Sequence, residues 1–262
     1  MPIWWMVTLS LKTADDNMAM PPKIVFKPTF ENYKTVLGFS RGVEGSFAPS
    51  NKDFPRNLLN SVIIGLTATF LALLIGTPAS YGLSKYHFKR KRDLALFILS
   101  TRYVPPIAVV IPFFIFFRWS RLLDSHLGLI LMYSFMNLAL VIWMMKGFFD
   151  EVPTELSEAA RVDGCSQLTA FFRIALPLAA PGLIATSILC LLLSWNEFLF
   201  AVLFTAKVAK TAPVGVYSFI TFREIVWGNL TAAGVITTLP ILVFVLLVQK
   251  NLVRGLTAGA IK

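Results

Sequence analysis

Five apolar stretches, at about residues 58–83, 94–117, 127–146, 178–206 and 230–249, limit what this chain can become more than any other feature. A bilayer hydrocarbon core is about 30 Å thick, and about 20 helical residues are needed to cross it. Inside it every backbone N–H and C=O must find a partner within the protein, which leaves helices as the solution for stretches of this length. The composition rules out an ordinary soluble domain: 56% of the residues are apolar, 23 are Phe, 15% are charged, and the mean hydropathy is +0.70. The expectation is an all-α polytopic membrane protein, residues 1–262 forming one transmembrane domain with five complete spans. Ahead of them, MPIWWMVTLSL has no leading positive charge and no small-residue cleavage site, which argues against a secretory signal. As a helix it reaches about 16 Å, half of a hydrocarbon core, and it is read as the outer end of a truncated first span.

Lys85, Lys89, Arg90, Lys91 and Arg92 form the densest basic cluster in the chain and mark a cytoplasmic loop. Parity then puts residues 147–177 and the tail 250–262 in the cytoplasm, and 12–57, 118–126 and 207–229 outside. Totals do not decide the matter, because the outer segments hold 12 Lys or Arg against 11 inside, with Lys146 included and Arg102 left out. Seven of the outer charges lie in the long loop 12–57, where they carry less weight than a dense cluster beside a span. The net charge of +10 is concentrated in connecting segments, which fits anionic lipid rather than nucleic acid. Cys165 and Cys190 fall in a polar segment and an apolar stretch respectively, and two thiols make no four-ligand zinc site.

Within the spans, Ala68, Ala72, Gly76 and Ser80 recur every four residues, beside Ser61, Gly65 and Thr69, a spacing that lets helix backbones approach closely in lipid. Pro78, Pro105, Pro106, Pro112 and Pro240 sit at apolar depth and predict bends, which either shape a passage or improve packing.

Between the third and fourth stretches lies a segment of a different character. Residues 150–177 carry five acidic side chains, Asp150, Glu151, Glu155, Glu158 and Asp163, against Arg161 and Arg173. Pro153 suits a first helical turn, the acids after it suit the positive end of a helix dipole, and Gly164 suits a helix end. A second short helix from Ser166 to Ile174 is expected to expose Leu168, Phe171 and Phe172 before Pro177 starts the next span. Ala159 and Ala160 leave room for a partner to approach, while Glu158 and Asp163 offer it acceptors.

The spacing Glu158-Ala159-Ala160, Gly164, then Ile174-x-Leu176-Pro177 resembles the EAA loop of ATP-binding-cassette importer permeases, in particular the carbohydrate-uptake (maltose and polyol) type. The likeness extends along the chain through Trp4 to Lys12, TFENY at Thr29 to Tyr33, NLLNS at Asn57 to Ser61, WNEF at Trp195 to Phe198, and the ending GLTAGAIK from Gly255. It implies a type I importer permease fold with a cytoplasmic coupling helix, in the plasma (inner) membrane of a bacterium or archaeon, with the C-terminus cytoplasmic. It further implies a second permease subunit, two ATPase subunits docked at Glu158, Ala159, Ala160, Asp163 and Gly164, and an extracytoplasmic solute-binding protein. The solute would be a sugar or sugar alcohol. ATP and Mg would be bound by the ATPase chains and no cofactor by this one.

The residues agree that the energy source is elsewhere, since no G-x-x-x-x-G-K-[ST] phosphate loop is present. No HExxH or GxSxG string accompanies His87 or His126, both at span ends, so the chain is read as no enzyme. A secondary transporter would show paired ionisable residues at membrane depth and often an internal repeat, and neither is evident. A membrane scaffold is the other alternative. Candidate passage residues are Arg102, about 12 Å inside the second span, the group Trp195, Asn196, Glu197 and Phe198, and Tyr133 with Asn137 one turn apart. Arg102 either snorkels to the interface or lines the passage. Glu197 either meets a polyhydroxyl solute or bonds across to the partner permease.

Overall fold

A computed structural model describes residues 2–39, 53–221 and 225–258, with side chains as far as residue 246. Residues 259–262 of the C-terminal motif, the side chains of all of it, and residues 40–52 of the segment 12–57 therefore lie outside the described residues. In chain order the helices are α1 (Pro2–Ser10), α2 (Ala14–Met18), α3 (Glu31–Val36), α4 (Phe54–Lys85), α5 (Lys91–Ser100), α6 (Pro106–Trp119), α7 (His126–Glu151), α8 (Thr154–Val162), α9 (Gln167–Ala170), α10 (Leu176–Leu178), α11 (Ala180–Trp195), α12 (Leu199–Phe204), α13 (Ala212–Tyr217) and α14 (Trp227–Ala258). Among the described residues the one β-type pairing is an antiparallel bridge between Ile220 and Ile225.

The helices α4, α7 and α14 are long and apolar enough to cross a membrane, and up to five spans exist if two bent pairs each count as one. These pairs depart from the sequence expectation. The stretch 94–117 is not one helix: α5 passes into a 3₁₀ turn at Thr101–Tyr103, and α6 leaves at 92°. The cause is Pro105-Pro106, because a residue before proline is pushed out of the helical region, and both Val104 (ψ 120) and Pro105 (ψ 127) are extended. The stretch 178–206 is likewise divided. Residues 167–178 and α11 meet at 75°, α11 ends at Trp195, and a break precedes α12. Pro78, Pro112 and Pro240 stay inside α4, α6 and α14.

The chain divides into two compact units. The first comprises residues 1–63, 124–126 and 197–244. Its core holds Val36, Phe54, Phe219, Ala232 and Ala233, with the Phe54 and Phe219 rings 6.4 Å apart. The Asn32 amide donates to the carbonyls of Ser10 and Lys12 at 2.8 Å each, joining α3 to the end of α1. Lys12 is buried, its ammonium 5.0 Å from the Trp5 ring centre and 5.1 Å from that of Phe26.

The second unit comprises residues 64–123, 127–196 and 245–262. Here the small-residue stripe of α4 is packed: Ala68, Ala72 and Ser80 are fully buried, and a Cβ added at Gly76 would lie 2.6 Å from Val141 Cγ1 of α7. The Ser134 hydroxyl of α7 donates to the Ala68 carbonyl at 3.1 Å. Lipid tails are as apolar as these side chains, so close packing, rather than escape from water, holds such a contact. Gly182 of α11 lies as tightly on Phe148 of α7, where an added Cβ would stand 2.2 Å from the ring.

Candidate functional site

The acidic segment folds into an elbow within the second unit. Pro153 stands just ahead of α8, Glu155 lies in its first turn and Arg161 in its last. After Asp163 the chain turns through Gly164 at φ +88, a left-handed conformation that glycine adopts without a Cβ penalty. Two backbone bonds close the end, Gly164 N–H to Arg161 O at 3.1 Å and Cys165 N–H to Ala160 O at 2.9 Å, the pairing of a Schellman cap. Ser166 then caps α9, its Oγ accepting from Thr169 N–H at 3.2 Å. From Phe171 to Ala175 the helix widens to a π turn before α10.

Successive helical residues differ by about 100°, and this sorts the motif. Glu158 and Ala159 are exposed with Asp163 and Gly164, whereas Ala160 is buried beside Ser157. The room expected at both alanines is thus on the outer surface at Ala159 and inside the unit at Ala160. The solvent face also carries Leu156, Val162 (89% exposed), Leu168 (71%) and Phe172 (60%).

Phe171 departs from expectation. It is buried at 4% exposure, its ring centre 4.9 Å from Tyr81 of α4 and 6.1 Å from Phe149 of α7, with Tyr81 and Phe149 themselves 5.4 Å apart. Adjacent positions cannot share a face, so Phe172 points out and Phe171 becomes the plug that seats the elbow on both long helices. Polar ties surround the plug. Asp150 accepts from Ser84 Oγ at 2.6 Å and from Lys146 Nζ at 2.5 Å, Lys85 donates to the Val152 carbonyl, and Lys91 donates to the Ser84 carbonyl at 2.7 Å. Tyr86 Oη donates to Gln167 Oε1 at 2.9 Å. The sequence counted Asp150 among the acids of this segment without its ties to Ser84 and Lys146, and did not single out Tyr86 or Gln167. The Lys146 and Asp150 spacing of four on one helix was the available signal.

The passage candidates lie elsewhere. Tyr133 and Asn137 are buried within the second unit, and Asn137 Nδ2 donates to Ser194 Oγ at 2.8 Å. Trp195 is buried, while Asn196 is exposed and returns its amide to Leu192 O at 2.8 Å. Arg102 is exposed in the 3₁₀ turn at the α5–α6 bend rather than inside a continuous helix. In the first unit Glu197 caps α12, Oε1 accepting from Phe200 N–H at 2.9 Å and Oε2 from Ala201 N–H at 3.1 Å. Phe198 stacks edge-on against Tyr217 at 5.5 Å.

Residues 68–258 match the family described as "Binding-protein-dependent transport system inner membrane component". The chain belongs to that family. As a binding-protein-dependent transport component it is an inner-membrane, multi-pass permease, and the matched range contains the whole elbow. Among curated relatives, the trehalose transport system permease protein SugB of Mycobacterium tuberculosis is 38% identical over 100% of this chain and 92% of its own length. The trehalose/maltose transport system permease protein MalG of Thermococcus litoralis is 35% identical over 100% of this chain and 91% of its own. Among solved structures, a chain of a bacterial ABC transporter involved in the import of the acidic polysaccharide alginate superposes with TM-score 0.76 at 23% identity, covering 95% of this chain and 89% of that one. The superposition extends the likeness to the fold.

Proposed function

We propose that the chain forms half of the translocation pathway of an ATP-driven importer for a sugar or sugar alcohol. A second permease subunit supplies the other half, and an extracytoplasmic solute-binding protein delivers the solute. ATP and Mg are held by two separate ATPase subunits, one of which docks on the elbow. The observation that carries this reading is the elbow itself: a helix closed at Gly164, presenting Glu158, Ala159 and Asp163 outward, and seated through Phe171 on α4 and α7. A short helix fixed at its base moves as a body, so force applied to its outer face reaches the spans. Relatives that transport trehalose, or trehalose and maltose, support the solute class.

In this reading residues 147–177 and the tail 250–262 are cytoplasmic, and 12–57, 118–126 and 207–229 face outward. Arg102, Trp195, Asn196 and Phe198 remain passage candidates. Glu197 serves the pathway indirectly, both of its oxygens being engaged at the start of α12. Tyr133 and Asn137 act by fixing the packing of α7.

The test is a pair of substitutions. Glu158→Lys reverses charge on the docking face, and Gly164→Pro forbids the positive φ. Both variants are expected to reach the membrane in normal amount, to lose ATP-coupled uptake, and to lose the ATPase on co-purification. Normal uptake by both would overturn the docking role.

A further inference from the structure

The segment between α12 and α13 is held in a way that its length does not require. Asp124 lies in the left-handed region at φ +52, uncommon for any residue but glycine. Its backbone N–H donates to Phe204 O, the end of α12, at 2.7 Å. Its Oδ1 accepts four consecutive backbone N–H groups, from Ala206 and Lys207 at 3.1 Å each, Val208 at 2.9 Å and Ala209 at 3.2 Å, and Oδ2 accepts Lys207 again at 3.1 Å. Successive N–H groups converging on one anionic oxygen form a nest. Burial pushes the Asp124 carboxyl upward, but the four donors outweigh it and hold the group below its ordinary value.

The carbonyl side is tied as thoroughly. Asn60 Nδ2 donates to Val208 O and Lys210 O at 2.9 Å each, and Ser61 Oγ accepts from Ala212 N–H at 2.7 Å. Because the Asn60 amide nitrogen is spent on those carbonyls, its Oδ1 faces His126 Nε2 at 2.8 Å, which fixes that nitrogen as the donor. With the backbone secured beneath, Ala206, Lys207 and Val208 are exposed, Val208 at 41%. Neither Lys207 nor Lys210 forms an ion pair among the described residues.

The geometry points to Asp124 as a positioning residue that presets the loop Thr205–Thr211 as a basic contact surface for an acidic patch on the solute-binding protein. A loop ordered in advance loses little freedom on docking, which is where rigidity raises affinity, and free rim cations steer an acidic partner. The strained backbone at Asp124 is what such a role predicts at a site the surrounding bonds over-determine. The inference rests on the importer reading and on the outward assignment of residues 207–229.

The experiment titrates the purified solute-binding protein encoded with this chain onto the permease–ATPase complex in nanodiscs and follows ATP hydrolysis. Asp124→Ala is expected to raise the half-saturating concentration about tenfold with the maximal rate within about twofold, and Asp124→Asn, which keeps one acceptor oxygen, about threefold. Lys207→Glu with Lys210→Glu, which leaves every backbone tie in place, is expected to raise it about tenfold and to weaken its dependence on ionic strength. Should Asp124→Ala fail to assemble, the other two variants decide. Half-saturation unchanged in them, or a fall in maximal rate alone, would overturn the inference. An unsubstituted complex that the binding protein does not stimulate would overturn the importer reading, and the inference with it.

Discussion

Gly164, Glu197 and Asp124 show how single residues set local geometry. Nothing lies within 4 Å of a Cβ built at Gly164, so Gly164→Ala isolates the cost of a side chain at φ +88 from any steric clash. We expect that cap to lose about 1 kcal/mol, read as faster amide exchange at Gly164 and Cys165. Gly76→Val tests the opposite case, a Cβ forced against Val141, and should lower stability by about 1–3 kcal/mol in a thermal melt of the solubilised protein. Glu197→Gln removes the negative charge that meets the Phe200 and Ala201 N–H groups at the start of α12 and should cost about 1 kcal/mol, with the half-saturating solute concentration for uptake unchanged. The Asp124 carboxyl sits below the ordinary 3.8, so its contribution to stability is fully present above that value and fades as pH falls through its depressed value. Acidifying the solubilised protein to about pH 5 should therefore leave the Asp124 contacts intact, as followed by proteolysis of residues 205–211. The sequence marked Gly164 as a helix end because glycine there has a local cause. It gave no sign of the roles of Glu197 or Asp124, whose partners depend on a helix break without proline or glycine and on a contact 82 residues distant.

The elbow was legible as an element and misread in its packing. Its acidic start, its glycine and its second short helix all follow from local chemistry. The burial of Phe171 does not, because a three-aromatic contact with Tyr81 and Phe149 joins three distant segments. Phe171→Ala should cost about 3–5 kcal/mol of local stability, whereas Phe172→Ala on the exposed side should stay within about 0.5 kcal/mol. Comparing protease sensitivity of the elbow in the two variants checks this contrast. The broken stretch 94–117 has a similar lesson. Prolines 105 and 106 were visible and a bend was expected, but hydropathy averages over a window and reports no direction, so a 92° turn read as one span.

At the scale of the molecule, length and hydropathy located three helices long and apolar enough to cross a membrane, α4, α7 and α14, and the two bent pairs that raise the number to five if each is one span. Sidedness depends on charge density beside the spans. A maleimide that cannot cross the membrane should leave Cys165, partly exposed in the elbow, unlabelled in intact cells and label it in inverted vesicles. The reverse pattern would turn the whole chain over. The π turn at Phe171–Ala175 adds a consequence for the family's mechanics. Its wider pitch takes up roughly one residue more than an α-helix would, so it sets the phase between α9 and the span that follows. Deleting Arg173 should remove that extra residue and restore ordinary winding with α9 still in phase, whereas an alanine inserted after Ala175, which the π turn does not take up, should rotate α9 by about 100° and unseat Phe171, as a gearwheel slips by one tooth.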